Sequence, residues 1–91
     1  MDELTREILT RIQGGQFAFQ PTGATIDAIQ DFQATAKRIE WAKREGYIKD
    51  AKPMLGSPDG EHTLTLHVAI VGGLTLEGEH YLLGDLDDRA F

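Results

Sequence analysis

Between residues 2 and 13 the apolar positions Leu4, Ile8, Leu9 and Ile12 recur at the spacing of one helix face, and Gly14-Gly15 stops the pattern. Asp2, Glu3 and Glu7 stand near its start, where carboxylates meet the positive end of a helix dipole. The pattern predicts an amphipathic helix from Asp2 to Gln13 with its apolar stripe in the core. Phe17-Ala18-Phe19 then alternates as a very short strand, and Pro21-Thr22-Gly23 reads as a turn.

From Thr25 to Glu45, Ile26, Ile29, Phe32, Ala36, Ile39 and Ala42 step by three or four, a helical period throughout. No glycine or proline interrupts residues 24–45, so the stretch is compatible with one long helix or with two joined by a tight turn. The weakest point is Asp31 to Thr35, where Asp and Thr are able to cap a new helix start. Gly46 terminates the segment. A hairpin follows, with Tyr47 to Leu55 as the first arm, Gly56-Ser57-Pro58-Asp59-Gly60 as the turn and His62 to Ile70 as the second arm. Leu64, Leu66, Val68 and Ile70 share one face of that arm, and Thr63, Thr65, His67 and Ala69 the other. Thr75 to Leu83 reads as a helix with Thr75 as N-cap and Glu77 and Glu79 in its first turn. Gly84-Asp85 ends it, and an acidic tail begins at Asp87-Asp88.

The order is helix, short strand, helix-turn-helix (or one helix), two-stranded wing and C-terminal helix. This is an α+β arrangement, and winged helix is the fold that it predicts, as a single domain over residues 1–91. Two stretches carry a family resemblance. Ile39-Glu40-Trp41-Ala42-Lys43-Arg44-Glu45-Gly46-Tyr47-Ile48 is similar to the close of the recognition helix in many winged-helix regulators. Gly73-Leu74-Thr75-Leu76-Glu77-Gly78-Glu79-His80-Tyr81-Leu82 resembles the strand-to-helix closure of the small YjcQ-like winged-helix proteins of bacteria and phages. The resemblance covers most of the chain from Ile26 onward. It implies the winged-helix fold and is poorly specific as to function.

Ninety-one residues with 41% hydrophobic content suit one globular domain. The chain has no cysteine, which excludes a disulfide scaffold and thiolate metal sites and fits a reducing cytoplasm. The charged start, Met1 to Glu7, has no apolar signal region. The longest uncharged run, Thr63 to Leu76, is too short for a membrane span. The expectation is a soluble cytoplasmic protein.

Charge changes the picture more. The net charge of −6 argues against indiscriminate nucleic-acid binding, yet its distribution is uneven. Lys37, Arg38, Lys43, Arg44, Lys49 and Lys52 cluster within sixteen residues, opposed there by Glu40, Glu45 and Asp50. A basic segment on an acidic body is what an oriented binder of phosphate needs, and it is also what a solvated helix face of mixed charge looks like.

With Thr35 to Glu45 as a recognition helix, Ile39 and Ala42 point inward. Gln33, Thr35, Lys37, Arg38, Trp41 and Arg44 are left at the outer face, with Lys52 on the hairpin beside them. Arg38 pairing with guanine, Gln33 with adenine, and Thr35 or Lys37 with phosphate would make a DNA reader. Few phosphate contacts per copy imply a homodimer on two half-sites of double-stranded DNA. The main expectation is therefore a bacterial or phage DNA-binding regulator of transcription. The wing turn departs from that pattern, because it carries Asp59 and Glu61 and no cation. The alternative is a protein-protein interaction module on the same scaffold with lost or vestigial DNA binding, in which the wing and the acidic C-terminal part meet a protein partner. A continuous positive face of Lys37, Arg38, Arg44 and Lys52 favours DNA; their burial or neutralisation by neighbouring carboxylates favours a protein.

Other chemistry is weak. Trp41 either marks a contact surface or closes the edge of the core. His62, His67 and His80 lack the close spacing of metal ligands, so no metal is expected. Ser57, the only serine, lies in the turn with no nucleophile motif around it, and neither glycine pair has a phosphate-cradling pattern. No catalytic residue and no cofactor are expected, and the chain reads as a non-enzyme.

Overall fold

A computed structural model describes the backbone of residues 2–89 and the side chains of residues 2–84. Three helices and a three-stranded antiparallel sheet follow in the order α1 (Glu3–Gln13), β1 (Ala18–Phe19), α2 (Ile26–Arg44), β2 (Ile48–Gly56), β3 (Leu64–Leu74) and α3 (Leu76–Arg89). The strands lie in the order β1-β3-β2, so both outer strands are edges.

Each helix begins where a side chain accepts from a free backbone N–H of the first turn. Asp2 accepts from Thr5 N–H at 2.7 Å, Thr25 from Ala28 N–H at 3.2 Å and Thr75 from Gly78 N–H at 2.9 Å. The end of α2 is closed by a bond from Tyr47 N–H to the Ala42 carbonyl at 2.8 Å and one from Gly46 N–H to Lys43 at 3.1 Å. This closure needs a left-handed residue, and Gly46 supplies it at φ +85°. Thr75 also donates from its hydroxyl to the Gly46 carbonyl at 2.5 Å, and its N–H reaches the Tyr47 carbonyl at 3.1 Å. The start of α3 is thus tied to the end of α2. Gly78 fits there because any Cβ would collide with the Tyr47 carbonyl.

Several boundaries differ from the sequence reading, β3 among them, which runs past Ile70 to Leu74, and the choice left open for residues 25–45 is decided. Residues 26–44 form one helix of 19 residues, not a helix-turn-helix. The apolar stripe Ile29, Phe32, Ala36, Ile39 and Ala42 is buried along its whole length, and a turn at Asp31–Thr35 would take part of it out of the core. The C-terminal helix passes Gly84 and continues to Arg89, so the predicted stop at Gly84-Asp85 is not used. Residues 87 and 88 belong to this helix, and their side chains lie outside the described residues.

One core collects Ile8, Leu9 and Ile12 from α1, Phe32, Ala36, Ile39 and Ala42 from α2, and Leu82 from α3. They pack against Phe19, Ile48, Ala51, Val68, Ile70 and Leu74 of the sheet. Leu9 and Ile39 are sealed from solvent, and truncating either to alanine costs roughly 2–5 kcal/mol. Pairing is Ala51↔Ile70 and Pro53↔Val68 on the helix-facing side, with Lys52↔Ala69 and Met54↔His67 on the opposite side. That opposite face is open; Met54 and Val71 stand exposed on it. The register shifts between Met54 and Leu55, where His67 and Thr65 are successive partners and Leu66 is the extra residue. The shift explains why Val68 and Ile70 are buried while Leu64 and Leu66, predicted on the same face, are only half-buried.

Candidate interaction face of α2 and the hairpin

A groove of about 450 Å³ runs between α2 and the hairpin. Ala36 and Ile39 from the helix and Ala51, Pro53, Leu55 and Val68 from the strands make its walls apolar, and Gln33, Lys37, Glu40 and Lys43 bring polar groups to its rim. Two polar clamps cross it. At the hairpin-tip end, the Gln33 carboxamide donates to the Thr65 carbonyl at 2.8 Å and accepts from Thr65 N–H at 2.9 Å. It also donates to the Ile29 carbonyl of its own helix at 2.8 Å. At the other end, Lys43 Nζ lies 2.9 Å from the Asp50 carboxylate and 3.3 Å from the Ala51 carbonyl.

The second clamp also closes the outer edge of β2. Ala51 N–H donates to Asp50 Oδ1 at 2.9 Å, its carbonyl is covered by Lys43, and Pro53 has no N–H to offer. A strand edge treated in this way resists pairing with another strand. The Lys43 ammonium and the Ala51 N–H hold the Asp50 carboxyl below the ordinary aspartate range.

The sequence-derived site residues do not form one face. Arg38 pairs with Asp2 at 3.0 Å and lies over the Trp41 ring at 5.4 Å from its centroid. Asp2, whose pKa is lowered first by its bonds to Thr5 and then by Arg38, thus both caps α1 and neutralises this cation. Trp41 is half-buried against Tyr47 and Tyr81, with centroids at 5.7 and 6.4 Å, so it closes the rim of the core. The Gln33 amide is engaged with Thr65, and Thr35 is half-buried. Lys52 lies on the open face of the sheet, opposite to the side that carries Ala51 and the groove. Lys37 and Arg44 alone among the α2 candidates keep exposed cations without a partner among the described residues. They sit two turns apart on one side of the helix, with unpaired Glu40 between them.

The wing turn is self-contained. Asp59 accepts from Glu61 N–H at 2.9 Å and from His62 N–H at 2.8 Å, and meets His62 Nδ1 at 2.8 Å. The two bonds from His62 and then that from Glu61 hold the Asp59 carboxyl far below its usual range. Among the described residues no cluster of three or more His, Asp or Glu is placed to hold a metal, and no helix is long and apolar enough to cross a membrane.

Sequence reasoning did not find the Asp2–Arg38 pair, because its partners belong to different helices and share no local pattern. It also missed the groove. Its signals were present in Pro53, which marks an edge strand, and in Leu55, an apolar residue beside the turn that is 59% exposed. Comparison of the chain with protein-family models, with curated proteins and with solved structures gives no match.

Proposed function

We propose that this chain is a protein-interaction module on a winged-helix-like scaffold, and that its docking surface is the groove between α2 and the hairpin. The observation that carries this reading is the internal neutralisation of the basic stretch beside an open apolar groove. Arg38 is paired by Asp2 and Lys43 by Asp50, while Leu55 stays exposed at the groove's wall. A phosphate-binding face needs the reverse, free cations and few apolar walls.

The occupant is the amphipathic helix of a partner protein. Strand addition is disfavoured at β2 because Ala51 has both backbone groups covered and Pro53 lacks a donor. A helix brings its own backbone bonds satisfied and needs only an apolar ridge for the walls. Lys37 and Glu40, ions on the α2 rim that are unpaired among the described residues, complement a carboxylate and a cation placed one turn apart on that helix.

Selection of helical peptides from a displayed random library tests this reading. Amphipathic helical binders are expected, with binding lost in Leu55→Glu and kept in Met54→Glu, since Met54 lies on the open face opposite His67. Enriched peptides that are indifferent to Leu55→Glu would reject the groove.

A second reading is favoured by one specific observation, the cations Lys37 and Arg44, unpaired among the described residues, on one side of a helix that borders a hairpin. It is the DNA-binding regulator, as a dimer, in keeping with the resemblance of residues 39–48 to the close of the recognition helix in winged-helix regulators and of residues 73–82 to YjcQ-like winged-helix proteins. It predicts binding to random duplex DNA that falls steeply with salt and is weakened by Lys37→Ala and Arg44→Ala. Arg38→Ala is the less informative substitution, because Arg38 already has a partner in Asp2. No duplex binding at low salt would remove this reading.

A further inference from the structure

We infer that Gln33 is a positioning residue that stands in for the missing length of β1 and sets the width of the groove before a partner arrives. The inference deepens the docking reading and rests on it.

β1 has two residues, and its pairing with β3 stops at Phe19↔Val68. From there toward the turn, the side of β3 facing away from β2 has no strand beside it. Thr65 lies in this bare stretch, paired to Leu55 of β2 on its other side. A bare peptide group there needs a partner or water. Gln33 supplies both a donor and an acceptor, at 2.8 and 2.9 Å, in the pattern that a neighbouring strand residue would provide. The third bond, from Nε2 to the Ile29 carbonyl at 2.8 Å, fixes the carboxamide against α2. Both oxygens are bound by the same nitrogen, and the carboxamide oxygen is left for Thr65 N–H, so the orientation of the amide follows from its partners.

The consequence is geometric. Leu55 and Thr65 are cross-strand partners, and both line the groove opposite Ala36 and Lys37. Holding Thr65 to Gln33 therefore holds the hairpin wall at a set distance from the helix wall. A surface held in its bound shape loses less freedom on association, which strengthens binding with no added contact.

The chain has no cysteine, so spin labels on Lys37→Cys and Leu55→Cys report the width of the groove cleanly. With Gln33 present the distance distribution should be narrow. Gln33→Leu should broaden it and speed amide exchange at Thr65 about tenfold beyond the acceleration seen at Ile39, which reports global unfolding alone. Gln33→Glu should behave like Gln33→Leu at neutral pH, where a carboxylate faces the Thr65 carbonyl. It should recover the narrow distribution near pH 4, where a protonated carboxyl again donates and accepts. A helical peptide selected on the unmodified protein should bind Gln33→Leu about tenfold more weakly.

An unchanged distance distribution in Gln33→Leu, or absence of recovery in Gln33→Glu at low pH, would overturn the inference. So would a broadened groove that binds the peptide as tightly as before. If no peptide binds the unmodified protein, the docking reading fails instead, and the label distances still decide whether Gln33 sets the groove.

Discussion

The two ends of the groove are held by different chemistry. At one end a neutral carboxamide, half-buried, makes three bonds to backbone groups within 2.9 Å. At the other an ammonium and a carboxylate, with side chains 46% and 40% exposed, meet at 2.9 Å. The neutral clamp has fixed directions and no charge to screen. The ionic clamp lies in high dielectric, where salt weakens it and Coulomb attraction gives little net stability. The first specifies position. The second removes charge from a helix that would otherwise present a basic row, and it covers a strand edge at the same time.

The largest expected effect lies outside both clamps, at the junction of α2, β2 and α3. Gly78→Ala forces a methyl group into the Tyr47 carbonyl, where β2 departs and α3 begins, and backbone on both sides must move. A loss on the order of 3 kcal/mol is expected from such overpacking, read as a large drop in thermal midpoint. Gly84→Ala is the control, since a Cβ at Gly84 meets nothing within 4 Å. Its midpoint should hold or rise slightly, as expected for alanine in a helix.

Next in size is the neutral end. Gln33→Leu leaves the Thr65 N–H and carbonyl without their partner while it keeps an apolar stem against the groove. Because solvent reaches this site, the cost is about 1–2 kcal/mol, or a fall of roughly 5–10 °C in the midpoint. Lys43→Met should cost much less. If the two variants prove equally destabilising, the assignment of position to one clamp and charge to the other is wrong.

Much of this architecture was legible in the chain. The stripes Ile8-Leu9-Ile12 and Phe32-Ala36-Ile39-Ala42 announced α1 and α2, Pro58-Asp59-Gly60 announced the hairpin turn, and Thr75 announced the start of α3. These are short-range signals. Whether residues 25–45 make one helix or two was not decided by local capping, since Asp31 and Thr35 can cap a start; the unbroken buried stripe decides it in space. The site was less legible. Residue types marked α2 as charged and amphipathic, but the fate of each cation depends on groups brought in from elsewhere. Asp2 reaches Arg38 from another helix, Thr65 reaches Gln33 from a strand, and strand alternation carries Lys52 to the other face of the sheet. Only Asp50, seven residues from Lys43, was near enough for its opposition to be read directly.

Acid separates the two ends further. The folded-state pKa values of Asp50, Asp2 and Asp59 lie below the ordinary aspartate value. For groups lowered in this way, the stabilisation is complete above the unfolded pKa, near 4, and is lost as pH falls through the folded values. The thermal midpoint should therefore be flat from about pH 7 to about pH 5 and should decline below about pH 4. Asp59→Asn should flatten that decline, because amide oxygen still accepts from the N–H groups of Glu61 and His62 without titrating. The Gln33 clamp has no titrating group, so Thr65 should keep its slow exchange, relative to the global unfolding limit, across the same range. Early loss of protection at Thr65 on acidification would mean that the two ends are coupled.

The smallest expected effect concerns the ionic clamp alone. Lys43→Met preserves the length and apolar stem of the side chain and removes the ammonium from Asp50 and from the Ala51 carbonyl. The carboxylate is open to water and keeps its bond from Ala51 N–H, so the midpoint should move by less than about 3 °C at low salt and by less still in high salt. The informative readouts are two others. The Ala51 carbonyl, no longer covered, opens part of the β2 edge, and concentration-dependent association should increase if Lys43 protects that edge. Duplex DNA binding, if the second reading holds, should be almost unaffected when Lys43→Met and Asp50→Asn remove the pair together at constant net charge, while Arg44→Ala one residue along should weaken it. Equal losses from removal of the pair and from Arg44→Ala would show that Lys43 leaves Asp50 when phosphate arrives, and the basic row would then be larger than the free protein displays.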